Sequence, residues 1–152
     1  MIIGDTFRKY MEEAIGRDNA LVAFSALDAP ASVSVRLNPF KPSPAAEGEP
    51  VLWAEHGRKL PQRPVFTLDP LFHAGAYYVQ DSSSMFVGHA FRKLLAKVHK
   101  PEGRPLRVLD LCAAPGGKTT DLAASLREAL GDGFILVSNE VMKARAGVLA
   151  AN

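Results

Sequence analysis

The run Val108-Leu109-Asp110-Leu111-Cys112-Ala113-Ala114-Pro115-Gly116-Gly117-Lys118-Thr119-Thr120 ends an apolar segment on an acid, turns through small residues and opens a helix. A turn without bulky side chains lets a ligand approach the backbone at a helix N-terminus, where N–H groups and the helix dipole favour negative charge. Ile135-Leu136-Val137-Ser138-Asn139-Glu140 ends a second apolar run on a second acid, thirty residues after Asp110. Glycines near the charged end of a ligand, with a carboxylate for ribose hydroxyls, are a way of gripping a nucleoside.

Three nucleotide sites compete for residues 110–120. A phosphate-binding P-loop needs a glycine five positions before Gly117-Lys118-Thr119, and that position is Cys112. A dinucleotide fingerprint, Gly-x-Gly-x-x-Gly, fails at the same place, because only Gly116 and Gly117 are present. An S-adenosylmethionine site uses an acid at a strand end, a small-residue turn and an acid after the next strand. Asp110, the turn from Ala113 to Gly117 and Glu140 fit it directly. The bland reading of such a turn alone is a plain strand-to-helix connection; the two acids together with the two glycines favour a ligand site.

The elements that must position these residues are a strand over Arg107–Leu111, a helix from Gly116 to about Leu130, a second strand over Phe134–Asn139 and a helix from Lys143. Strand, helix, strand, helix predicts a parallel sheet with right-handed crossovers. Ahead of it, Phe86, Ala90, Leu94 and Val98 fall four apart, with Phe91 and Leu95 alongside. This predicts an amphipathic helix ending before Pro101, capped from within Asp81-Ser82-Ser83-Ser84. Tyr77-Tyr78-Val79-Gln80 reads as extended chain.

Residues 1–80 read as a small mixed unit. Asp5 or Thr6 caps a first helix bearing Phe7, Met11 and Ile15, which Gly16 ends. Asp18 caps a second helix bearing Leu21, Phe24 and Leu27. Ser32–Leu37 alternates polar and apolar residues, as a half-buried strand does. Four of the thirteen residues from Asn38 to Pro50 are proline, which predicts a loop. Val51–Ala54 and Val65–Leu68 read as short strands punctuated by His56-Gly57 and Asp69-Pro70.

Composition limits the classes. The net charge is +2 and charged residues make up 22% of the 152, so charge alone implies neither disorder nor strong nucleic-acid affinity. The basic excess is local, with Arg92, Lys93, Lys97, Lys100, Arg104 and Arg107 against Glu102 alone. These six form a solvated face or, as a set, a phosphate-facing stripe. One cysteine excludes an intrachain disulfide and a cysteine-based zinc site. His56, His89 and His99 have no spacing that suggests a metal. No apolar run has the length of a membrane span and no signal peptide is evident, so a cytoplasmic protein is expected.

With these residues in view, Leu111-Cys112-Ala113-Ala114-Pro115-Gly116-Gly117-Lys118-Thr119 resembles the cofactor motif of the NOL/Sun family of RNA cytosine-5 methyltransferases. The stretch Arg63–Met85 is similar to the lead into the catalytic domain of its RsmF-like bacterial members, and Arg36-Leu37-Asn38-Pro39 with Lys41 resembles an upstream element. The resemblance implies methyl transfer from S-adenosylmethionine to carbon 5 of a cytosine in RNA, with ribosomal RNA the expected substrate. In such enzymes a cysteine thiolate adds to carbon 6, and a second cysteine helps release product. The resemblance implies that both cysteines, and the acid that contacts adenine, fall beyond Asn152. Cys112, Ala113, Ala114, Pro115, Gly116, Gly117 and Lys118 would wrap the methionine half of the cofactor, and Glu140 would take the ribose. Cys112 is expected half-buried under the turn, not as nucleophile. Asp110 is expected to shape the turn or hold the cofactor amine. Gln80-Asp81-Ser82-Ser83 lies near the pocket in the family, and Arg145 stands either there or on a surface helix. His73, Tyr77 and Tyr78 either stack on bases or pack a junction, and Trp53 reads as core.

The expected fold class is therefore α/β. A small N-terminal α+β domain, 1–80 and RNA-facing, precedes over 81–152 the first β-α-β of a class I, Rossmann-like S-adenosylmethionine-dependent methyltransferase domain, truncated. The chain alone is expected to be inactive, without metal or membrane, and to need the remaining part of the catalytic domain from the same or another chain. The runner-up is a non-catalytic RNA-binding or interaction module that retains the cofactor-binding front half, and a P-loop nucleotide hydrolase stands third. Uncovered apolar faces and a sheet edge would make the isolated chain associate.

Overall fold

The computed structural model describes residues 3–152, which divide into one unit ending at Ser32 and another, Val33–Asn152. The first unit is a pair of helices, α1 (Asp5–Ile15) and α2 (Arg17–Asp28). Gly16, at φ +82°, both ends α1 and starts α2, a backbone conformation that L side chains rarely adopt. Neither helix has a side-chain cap; Gly4 and Gly16 hold the cap positions expected for Asp5 or Thr6 and for Asp18. Phe7 meets Phe24 at 6.3 Å between ring centroids, and Ala20 and Phe24 are buried.

The second unit opens with a four-stranded antiparallel sheet in the order β2-β3-β1-β4. Its strands are β1 (Val33–Leu37), β2 (Glu49–Val51), β3 (Ala54–Leu60) and β4 (Tyr77–Val79). The short helix α3 (Pro70–His73) precedes β4. Helix α4 (Phe86–Leu95) then leads to β5 (Leu106–Asp110), α5 (Gly117–Leu130), β6 (Phe134–Ser138) and α6 (Lys143–Ala151). β5 and β6 pair in parallel from Leu106↔Phe134 to Asp110↔Ser138, so the expected strand–helix–strand unit is present. The boundary expected at residue 80 lies inside this unit, because β4 pairs with β1 and α4 packs on both β3 and α5.

Several local expectations are corrected. Val51–Ala54 is a hairpin rather than a strand: Leu52 and Trp53 form the turn between β2 and β3, with Leu52 96% exposed and Val51 and Ala54 buried. Apolar composition cannot register a two-residue reversal. Likewise the proline-rich segment expected as loop to Pro50 already enters β2 at Glu49; β2 is a sheet edge, where a missing N–H is tolerated. His56-Gly57 lies within β3 and does not punctuate it. A Cβ on Gly57 would stand 2.9 Å from Met85 Sδ and from the Cβ atoms of Val51 and Ala54, so the glycine is a packing requirement. Val65–Leu68 contains a 3-10 turn, Phe66–Leu68, not a strand.

β1 is buried on both faces from Ser34 to Leu37, not on one. The apolar side, Val35 and Leu37, joins Ala76 and Tyr77 in a core with Leu60, Phe66 and Phe72. The polar side is satisfied internally: Ser34 Oγ donates to Gln80 O at 2.6 Å, and Arg36 enters an ionic cluster under α5. On α4 the stripe of Phe86, Ala90 and Leu94 faces outward, with Val98 exposed beyond the helix. Gly88 and Leu95 form the buried face instead. The reason is Asp121 on α5, so close that a Cβ on Gly88 would lie 2.0 Å from its Oδ2.

Candidate functional site

The glycine turn is held from three directions before any ligand is considered. Asp110 ends β5 and accepts from the Cys112 N–H at 3.3 Å and from Thr119 Oγ1 at 2.7 Å. One carboxylate thereby ties the start of the turn to the first turn of α5. Asn139, just past β6, donates its side-chain amide to Leu111 O at 2.9 Å, while its backbone exchanges bonds with Asp110 and Ala113. The third hold comes from the antiparallel sheet: Arg36 Nη2 donates to Gly117 O at 3.1 Å and to Thr120 Oγ1 at 2.6 Å.

Within the turn the Ala114–Pro115 bond is cis and Gly116 sits at φ +115°, in the left-handed region. The intrahelical ladder starts with the Thr120 N–H donating to Gly116 O, so the N–H groups of Gly117, Lys118 and Thr119 precede it. These are the donors that a helix N-terminus offers to an anion. Gly117 is fixed by close approach: an added Cβ would lie 3.0 Å from Tyr78 Cε1. Tyr78 was among the sequence candidates only as a base-stacking or junction residue. The structure makes it the wall against which the glycine turn is built.

A cavity of about 190 Å³ is lined by Cys112, Ala113, Ala114, Pro115, Gly117 and Lys118 on one side, and by the 78–81 segment with Ser84 on the other. The expected nearness of Gln80 and Asp81 to the turn is thus observed. Gly116 is not in this lining; it lies against Leu149 and Asn152 of the α6 end. Cys112 is exposed rather than half-buried, because Ala113 and Ala114 take the covered positions of the turn.

Glu140 does not line the cavity. Its carboxylate accepts from the Met142 N–H at 3.0 Å and lies 3.6 Å from Arg145 Nη1. The Met142 N–H, and then Arg145, hold its pKa below the ordinary carboxylate value. Arg145 also donates to Ala114 O, so it clasps the turn to the second acid. Arg145 is an exposed residue of α6 whose side chain reaches back to the turn, so both positions left open for it by the sequence apply.

Sequence reasoning missed Asp121 and Ser125, and with them the cluster that Arg36, Arg92 and Gln80 form beneath α5. Asp121 is buried, with Arg92 Nη1 at 3.0 Å and Arg36 Nε at 3.9 Å. Arg36 Nε also donates to Gln80 Oε1 at 2.9 Å, and Arg92 Nη1 to Ser125 Oγ at 3.0 Å. Burial pulls the Arg36 pKa down and Asp121 opposes that shift. No group of three or more His, Cys, Asp or Glu side chains able to hold a metal occurs among the described residues. Among them no helix is long and apolar enough to cross a membrane.

An antiparallel sheet clamped through buried arginine to a glycine turn, at the head of a parallel β-α-β unit, defines the class as mixed α/β. The crystal structure of PH0851 shares this fold with a TM-score of 0.69 and 22% identity, over 95% of this chain and 32% of that one. Residues 3–82 match the N-terminal domain of 16S rRNA methyltransferase RsmF, and the chain belongs to that family. Relatives named ribosomal RNA small subunit methyltransferase F are 40% identical over 78 residues in Shewanella denitrificans and 39% identical over 79 residues in an Enterobacter strain. The aligned segments take up 51% and 52% of this chain and 14% of each relative.

Proposed function

We propose that this chain is the front part of an enzyme that methylates carbon 5 of a cytosine in ribosomal RNA, with S-adenosylmethionine as methyl donor. The observation that carries the reading is the turn Cys112–Lys118, braced by Asp110 and opening α5, with a cavity between it and the 78–84 segment. The chemistry of the donor set fits a zwitterionic amino-acid end. The first N–H groups of α5 suit a carboxylate, and Lys118 adds positive charge at the rim. Asp110 serves as the brace of the turn. Glu140, kept ionised by the Met142 N–H and Arg145, is assigned to the ribose hydroxyls. About 190 Å³ is below the roughly 300–1,000 Å³ of complete small-molecule pockets, so these residues supply one part of a cofactor site.

Residues 1–80 are assigned the RNA-facing role, and 81–152 the start of a class I, Rossmann-like catalytic domain in a cytoplasmic enzyme. The cofactor supplies an electrophilic methyl group when bound; carbon 5 of cytosine becomes nucleophilic only after a thiolate adds to carbon 6. Cys112 is assigned no part in that step, since its position is in the cofactor turn. The thiolate is assigned to the remaining part of the catalytic domain, and the 152 residues alone are expected to turn over no substrate.

The test is calorimetric titration of S-adenosylmethionine into this chain, with Glu140→Ala and ATP–magnesium alongside. Binding that Glu140→Ala weakens at least about tenfold, the equivalent of ~1.4 kcal/mol, and that ATP does not reproduce, is the expected result. Binding of ATP–magnesium alone overturns the reading in favour of a P-loop.

A further inference from the structure

A second, larger opening lies beside the glycine turn. It has a volume of about 620 Å³, and its lining includes Arg36, Phe40, Lys41, Tyr77, Tyr78 and Arg127. No Asp or Glu side chain lines it. We propose that this cleft seats single-stranded RNA, with Phe40 as a platform for an unpaired base and Lys41 and Arg127 on the phosphates. The proposal rests on the methyltransferase reading for its choice of RNA, and it names where the strand lies.

Phe40 is exposed on a loop that is already shaped. Asn38 Oδ1 accepts from the Phe40 N–H at 2.9 Å, Asn38 Nδ2 donates to Gly75 O at 2.9 Å, and the Lys41 N–H donates to Asn38 O at 3.1 Å. An exposed aromatic ring on a braced loop can take a base with little ordering cost, and every base offers a face to stack on. Lys41 Nζ donates to Ala74 O, which leaves further donors of the ammonium for phosphate. Arg127 pairs with Asp132, whose side chain is 87% exposed, so the pair is cheap to exchange for a phosphate. Arg36 stays committed to Asp121 and contributes its charge from below.

Tyr78 lines both this cleft and the cavity of the glycine turn. A strand seated on Phe40 therefore runs to the wall of the proposed methyl-donor site. The basic stripe from Arg92 to Arg107, the other candidate for phosphates, borders different depressions: Lys100 and Arg104 line one, Arg92 and Lys100 another.

The experiment is fluorescence anisotropy of the full 152-residue chain with a labelled, mixed-sequence single-stranded RNA of about ten nucleotides, over a salt series. Phe40→Ala is expected to weaken binding by about five- to a hundredfold, the range for loss of one stacked base. Lys41→Gln is expected to reduce the salt slope by about 0.7, one phosphate contact on a single strand. Lys100→Gln and Arg104→Gln are expected to bind as the parent does. Parent-level binding by Phe40→Ala and Lys41→Gln overturns the proposal, as does equal competition by duplex RNA or no binding by the parent chain. S-adenosylmethionine titration of the same variants separates the two readings. Lost donor binding with intact, Phe40-dependent RNA binding overturns the cofactor assignment and upholds the cleft; the reverse result overturns the cleft alone.

Discussion

Strand β1 is covered on both faces, whereas β5 and β6 are covered on one. In the antiparallel sheet, Val35 and Leu37 point into an aromatic core, and Ser34 and Arg36 point into hydrogen bonds with Gln80 and α5. In the parallel pair, α5 lies over one side and the other side stays open, with Leu109 57% and Val137 53% exposed. The pairs differ in chemistry as well as cover. The polar face of β1 is closed by charge, while the open face of β5–β6 exposes Leu109, Ile135 and Val137, with Arg107 opposite Ile135. A polar face can be finished by side chains of the same chain at fixed distances, but an apolar sheet face is finished only by another layer. The first region is closed by its own side chains; the second leaves an apolar face in contact with solvent.

Removing the charge that closes β1 is the largest expected break in this comparison. Asp121→Ala leaves Arg36 buried beside Arg92 without a carboxylate. Loss of one partner from a buried ionic group costs about 3–5 kcal/mol. Urea unfolding is expected to show that loss, with β1 and α4 losing amide-exchange protection together. A loss under about 1 kcal/mol would mean that water reaches the cluster and that the polar face of β1 is not closed by charge.

The parallel unit was the more legible half of the sequence, and the reasons are physical. β6 is a continuous apolar run ended by a polar residue, β5 is one interrupted only by Arg107 and ended by Asp110, and α5 lies between a glycine turn and Gly131, which ends it at φ +60°. Periodicity and glycine punctuation report such elements directly. The antiparallel sheet was harder to read because its decisive features are tertiary. Arg36 meets Thr120 from 84 positions away, and Gly57 is small because Met85 needs the space. The outward stripe of α4 misled for the same reason: its phase is set by Asp121, not by its own apolar residues. In the candidate site, the turn and both acids were legible as residue types. Tyr78 as the wall of the turn, the bonds of Asn139 and the clasp of Arg145 between Glu140 and Ala114 were not, since each depends on where the chain returns.

A smaller effect probes the aromatic core on the other face of β1. Tyr77 OH donates to Asp69 Oδ2 at 2.6 Å, and burial, then this bond, push the Tyr77 pKa up to about 12. The same bond, with the Leu71 N–H, holds Asp69 below its ordinary value. A raised folded pKa means that the contribution of Tyr77 is complete below the ordinary value of 10.0 and is lost as pH rises through about 12. For Asp69 the sign is opposite: its contribution is present above 3.8 and is lost as pH falls through the lowered value. Tyr77→Phe is expected to flatten stability at both ends of the pH range and to cost less than Asp121→Ala. An alkaline limb between pH 10 and 12 that persists in Tyr77→Phe would assign the effect to another group.

The smallest effect on stability is expected where the sheet is open, and there it sharpens the comparison. Val137 faces outward from β6 beside Leu109 and Ile135, all without a covering layer. Val137→Glu places a charge that is already solvated, so the free energy of unfolding is expected to stay within about 0.5 kcal/mol of the parent. Association is expected to change far more. Two copies of the parent chain can bury this apolar face or pair its exposed edge, and a charge on either contact opposes both. Sedimentation velocity is expected to show concentration-dependent association in the parent and a smaller species in Val137→Glu. A loss of more than about 1 kcal/mol in Val137→Glu would show the face to be packed within the chain, and the contrast between the two sheets would then be one of residue type alone.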